Sequence, residues 1–136
     1  MIEFDSLKND ILSRYATIAY LPLRLEAMEH TLGVIHAISL LHTDIDLTER
    51  RTAALLHDTG RFLFNRADHA RASAAYALEL GLPEPVVSAI AVHSKKERID
   101  SPLAEDLKDA DVIARWLADP AYEHPRLTAA LARLQQ

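Results

Sequence analysis

Residues 22–42, PLRLEAMEHTLGVIHAISLLH, decide the fold. Leu23, Ala27, His30, Val34, Ala37 and Leu41 recur at alternating four- and three-residue steps, which places them on one face of an α-helix. Pro22 suits the first turn of that helix, where its missing N–H costs nothing. The neighbouring segments read the same way, and no run of strict apolar/polar alternation interrupts them. Three glycines and few aromatics agree with helices over sheet. The expectation is an all-α, compact single-domain bundle of six to seven helices.

Working outward, a first helix is expected from about Asp5 to Tyr20, with Asp5 or Ser6 as cap. A polar break at 43–46 precedes a third helix capped by Thr48 and carrying Ala53 to Leu56, with Gly60 just past its end. Asp68 is expected to cap a fourth helix ending near Leu80, where Gly81 and Pro83 form a stop signal. A fifth runs from about Pro83 to His93, a sixth from Ser101-Pro102 to about Ala118, and a short last one from Pro125 to Leu134. The chain of 136 residues fits one domain, residues 1–136, with no repeat, low-complexity tract or flexible linker.

Composition excludes several classes of function. The absence of cysteine rules out a disulfide scaffold and any thiolate metal site, leaving His, Asp and Glu as metal ligands. A net charge of -5 argues against nucleic-acid or acidic-membrane binding through bulk charge. MIEFDSLKND has neither a basic nor an apolar leader segment, and no stretch is apolar enough to span a membrane, so a soluble cytoplasmic protein is expected.

The histidines carry the functional signal. His30 lies within the apolar stripe of the second helix, His57 and Asp58 end the run Ala53 to Leu56, and His93 closes the stripe of Val86 and Ile90. His69 heads a face continued by Ser73 and Tyr76. Asp111 falls in phase with Leu107 and Ala114, whereas Asp109 faces Glu105 and Asp106 on what reads as a solvated side. A buried carboxylate is costly unless paired or bound to a cation, and a divalent metal would reconcile these groups with a core. Any one of these histidines alone reads most simply as a hydrogen-bonded core residue; the metal reading rests on the combination. His36, His42 and His124 are left as ordinary histidines, Asp68 as a helix cap and Asp109 as a surface charge.

The order His30…His57-Asp58…Asp111 resembles the signature of the HD superfamily of metal-dependent phosphohydrolases. His30-Thr31-Leu32-Gly33-Val34 is similar to the family's first-histidine helix. Ala53-Ala54-Leu55-Leu56-His57-Asp58-Thr59-Gly60-Arg61 resembles its helix-ending doublet, and Lys108-Asp109-Ala110-Asp111 its last segment. The likeness is strongest over residues 23–117. It implies that His30, His57, Asp58 and Asp111 hold one divalent metal (Fe, Mn, Co, Mg, Ni or Zn). It further implies that His69 and His93 complete a binuclear-capable set, with Asp58 bridging. Where some members carry paired histidines at the fourth-histidine position, this chain has His93-Ser94.

The implied chemistry is attack of a metal-activated hydroxide on a phosphate ester, a nucleotide or related small molecule. Asp58 and Arg61 are the expected catalytic residues; Arg61, Lys95 and Lys96 are candidates for contacting phosphate. The family's range leaves two alternatives: a non-catalytic regulatory domain binding metal or nucleotide, and a diiron oxygenase. Little sequence follows Asp111, so a homo-oligomer that completes an open site is a further expectation.

Overall fold

The computed structural model describes residues 3–134. These form eight helices: α1 (Phe4–Tyr15), α2 (Leu21–Leu41), α3 (Thr48–Leu56), α4 (Thr59–Phe62), α5 (His69–Glu79), α6 (Glu84–Val92), α7 (Pro102–Ala118) and α8 (Leu127–Arg133). No strand occurs among the described residues, and no helix is long and apolar enough to cross a membrane. The helix beyond those expected is α4, a single turn directly after the His57-Asp58 doublet.

Local chemistry sets most of the boundaries. The α2 stripe is inward as read: Ala27, Val34 and Ala37 are fully buried. Helix α5 ends in a Schellman motif in which Leu82 N–H reaches Ala77 O at 3.2 Å and Gly81 N–H reaches Leu78 O at 3.0 Å. Gly81 supplies the φ of 79° that this turn demands. Ser101 caps α7 by accepting from Ala104 N–H at 3.2 Å, with Pro102 in its first turn.

Four local expectations are corrected. Helix α1 is capped by the Glu3 carboxylate, which accepts from Asp5 and Ser6 N–H, and stops at Tyr15 instead of Tyr20. Thr17 Oγ1 donates to Arg14 O at 2.7 Å there, a local bond that competes with helix continuation. Thr48 is the first residue of α3, and Asp46 accepts from its N–H at 2.9 Å. Asp68 makes no capping bond; its carboxylate faces the Arg66 guanidinium at 3.0 Å.

Gly60 is not a helix terminator. It lies inside α4, where an added Cβ would stand 2.3 Å from His69 O and 2.8 Å from Ala72 Cβ. Its role is close approach between backbones: α4 abuts the first turn of α5, and Gly60 N–H donates to Ser73 Oγ at 2.8 Å. That contact fixes His69 relative to Asp58.

Helix α2 packs chiefly on α7, with a Cβ at Gly33 falling 3.3 Å from Ala114 Cβ. Helix α7 is the central element, since every residue from Leu103 to Ala110 is buried. Its acidic face is covered by residues of the α8 segment, correcting the solvated side expected for Asp109. Asp109 accepts from Arg126 at 2.8 Å and Arg133 at 2.7 Å. Asp106 accepts from Arg133 at 2.8 Å and from Arg50 at 2.6 Å, with His42 Nε2 also 2.8 Å away. Glu105 pairs with Arg126 at 2.9 Å and Lys108 at 3.1 Å. Three buried carboxylates are therefore offset by Arg50, Arg126 and Arg133 from outside α7 and by Lys108 within it.

Candidate metal centre

The ends of short helices meet the middles of two long ones at a single point. His30 comes from mid-α2 and Asp111 from mid-α7, while His57, Asp58, His69 and His93 sit at the ends of α3, α4, α5 and α6. Helix ends leave unpaired carbonyls, and two of the histidines use them. His57 Nδ1 donates to Ala54 O at 2.6 Å, and His93 Nδ1 donates to Ile90 O at 2.7 Å. A carbonyl can only accept, so both rings carry the proton on Nδ1 and turn Nε2 toward the cluster.

The first donor set is tight. His30 Nε2 lies 2.8 Å from Asp111 Oδ1, 3.3 Å from His57 Nε2 and 3.6 Å from Asp58 Oδ2. His57 Nε2 lies 3.4 Å from Asp58 Oδ2 and 3.5 Å from Asp111 Oδ1. Ligands about 2.0–2.2 Å from one ion stand roughly 3–3.5 Å from each other, so these spacings match a shared cation. The second set forms around the other Asp58 oxygen: Oδ1 is 3.7 Å from His93 Nε2 and 3.8 Å from His69 Nε2. All six expected ligands are thus brought together, with Asp58 presenting one oxygen to each set. His69 is the outermost, with 35% of its side chain exposed.

Two oxygens test whether the site fits a metal. Asp58 Oδ2 and Asp111 Oδ1 are buried without a hydrogen-bond partner. Neutral His57 aims a lone pair at them, not a proton, so acceptor faces acceptor. A shared cation resolves this arrangement, as does a proton added to His57 or an Nε2–H of His30 turned to Asp111 Oδ1, 2.8 Å away. With a proton, burial pushes His57 down, but Asp58 and Asp111 outweigh it and push its pKa up to about 9. Burial likewise pushes the Asp58 and Asp111 carboxyls up, yet the surrounding imidazoles hold both well below the usual range. Imidazolium charge and a bound divalent ion are alternative ways to hold these carboxylates ionised, so an ion bound here would displace the proton from His57 Nε2.

The candidate phosphate contacts stand outside this cluster. Arg61 pairs with Glu26 of α2, its guanidinium 5.0 Å from the Phe62 ring centroid. It lines a cavity of about 380 Å³ beside His30. Lys95 and Lys96 are exposed on the segment between α6 and α7, at the edge of a second cavity of about 550 Å³ that reaches His93 and Asp111. Sequence reasoning missed Arg115, whose Nε is 3.6 Å from Asp111 Oδ1. Its signal was available: four residues after Asp111, it shares the same helical face.

No curated protein and no solved structure matches the chain. The family model of the HD domain matches residues 27–116, well over half of the sequence, from the His30 stripe to beyond Asp111. The chain therefore belongs to the HD domain family.

Proposed function

We propose that the protein is a metal-dependent phosphohydrolase acting on the phosphate ester of a nucleotide or related small molecule in the cytoplasm. The observation that carries this reading is the pair of buried, unpartnered oxygens on Asp58 and Asp111, set among the Nε2 atoms of His30 and His57. One or two divalent ions held there would supply Lewis acidity toward phosphoryl oxygens and a water ionised near neutral pH.

The chain's own groups hold and orient the rest. Backbone carbonyls of Ala54 and Ile90 fix the His57 and His93 rings. Asp58 is suited to bridge because its two oxygens face different histidines. Arg115, beside Asp111, and Arg61, at the rim near His30, are placed to offset charge on nonbridging phosphate oxygens. In the net reaction a water oxygen bonds to phosphorus, and the ester oxygen leaves with a proton.

The test is elemental analysis of purified protein, joined to a phosphate-release screen of nucleotides with manganese, cobalt and iron. Stoichiometric divalent metal and phosphate release abolished by chelation are expected. No metal, and no uptake of any of the three, would overturn the reading. Oxygen consumption by iron-loaded protein without phosphate release would replace it with oxidative chemistry.

A further inference from the structure

We infer that the outward face of α2 is a dimer interface, and that α2 of a second copy of this chain lies antiparallel across it. Apart from Pro22 in the first turn, the exposed residues of α2 are Leu21, Leu25, Glu29, Leu32, His36 and Leu40. They stand three or four residues apart and so form one stripe. The four leucines are 41–55% exposed, and Tyr20, just before the helix, is 68% exposed. On the opposite side Ala27, Val34, Ala37 and Ile38 are fully buried. A helix apolar around most of its circumference is the pattern of one covered on all sides, yet here one side meets solvent.

Single exposed leucines are ordinary on a protein surface; a continuous stripe of them is not. At these exposures the four leucines and Tyr20 present on the order of 500 Å², as much as the largest apolar patch of most monomers. With Glu29 and His36 the face approaches the roughly 800 Å² per partner of a standard interface. The stripe is long enough to lay one helix on another, since Leu25 and Leu40 are about 22 Å apart along the axis.

The two polar residues identify the occupant. Leu21, Leu25 and Glu29 make one i, i+4 ridge, and Leu32, His36 and Leu40 make the next. About a two-fold axis passing between Leu32 and Gly33, the first ridge of one copy runs along the second ridge of the other. Leu25 then meets Leu40 of the second copy, Glu29 meets His36 of the second copy, and the two Leu32 side chains meet near the axis. Among the described residues neither Glu29 nor His36 forms an ion pair. An imidazole offers an N–H to a carboxylate in either charge state, so this pairing satisfies both. An isologous contact demands such self-complementarity, with residue i on j and j on i; an unrelated partner does not. The net charge of -5 disfavours an acidic lipid surface as the occupant.

The experiment is sedimentation equilibrium of the 136-residue chain at about 50 μM, where a mass twice the 15.2 kDa of one copy is expected. Leu32→Lys, with its helical circular dichroism read alongside to confirm folding, should raise the dissociation constant at least about hundredfold, because the two-fold axis applies the change twice. Glu29→Lys and His36→Glu should each weaken the dimer about tenfold, whereas Glu29→Lys/His36→Glu together should return to within about threefold of the unaltered protein. A merely structural role for either residue would not produce that recovery. A single-chain mass for the unaltered protein, a dimer indifferent to Leu32→Lys, or a charge swap that restores nothing each overturns the inference. So does a monomer that sediments with vesicles of phosphatidylcholine and phosphatidylserine, which would assign the face to a membrane.

Discussion

Asp109 and Asp111 stand two residues apart on α7 and do unrelated work, which makes them a sharp pair to compare. Asp111 Oδ1 has no hydrogen-bond partner and faces His30 and His57, whereas both Asp109 oxygens are taken by arginines. Asp111→Asn is expected to lose metal, and Asp58→Ala to lose both metal and phosphate release; elemental analysis and turnover of the two variants check this. Asp109→Asn should keep its metal but lose about 1–3 kcal/mol of stability, since Arg126 and Arg133 lose a charged partner. Thermal melts should show it several degrees lower. Metal loss in Asp109→Asn with retention in Asp111→Asn would overturn the assignment. Helical phase singles out Asp111 in the sequence, because Leu107 and Ala114 flank it on the face that meets α2, and the structure sets its Oδ1 beside His30 and His57. The burial of Asp109 was not legible. The stretch of α7 from Leu103 to Ala110 is enclosed on all sides and has no solvated face, and the arginines that cover Asp109 lie 17 and 24 residues downstream.

Glycines 60 and 81 separate the two ways a residue without a side chain can shape a helix end. At Gly81 the requirement is conformational: φ is 79° and nothing stands within 4 Å of an added Cβ. Gly81→Ala should cost about 1 kcal/mol and leave metal content unchanged. At Gly60 the requirement is space, since a Cβ would collide with His69 O and with Ser73 N, 2.9 Å away. Gly60→Ala must push α5 off α4, so a larger loss of stability is expected, together with weaker metal uptake as His69 withdraws from Asp58. Calorimetric metal titration of both variants distinguishes them; equal affinities would show that the α4–α5 contact does not position the ligands. Caps and stops such as Ser101, Pro102 and Gly81 were readable because each acts within a few residues of itself. The close approach at Gly60 was not, because the partner backbone is nine or more residues away and leaves no periodic trace.

Two clusters of charge fasten the molecule around α7 at different levels. The His/Asp cluster joins α2 through α7, and the buried network of Glu105, Asp106 and Asp109 ties α7 to α2, α3 and the α8 segment. A ligand that binds only the folded state stabilises it by mass action, about 2.7 kcal/mol at a hundred times its dissociation constant. Chelation should therefore lower the melting temperature of the whole chain in one cooperative step. A two-step melt would show that the centre stabilises only part of the fold. The network responds to pH in a defined direction. Burial pushes the Glu105 carboxyl up, but Ile99 N–H, Arg126 and Lys108 outweigh this and hold it at about 2, against 4.5 for a free glutamate. Because the folded value is depressed, the contribution is complete above pH 4.5 and fades as pH falls toward 2. Denaturant unfolding of chelated protein, with and without Glu105→Gln, isolates it. The difference in stability between the two proteins should be largest at neutral pH and shrink through that acid window. A difference that stays constant with pH would mean that the glutamine loses only packing, and that the ion pairs around Glu105 contribute nothing net to holding α8 on α7.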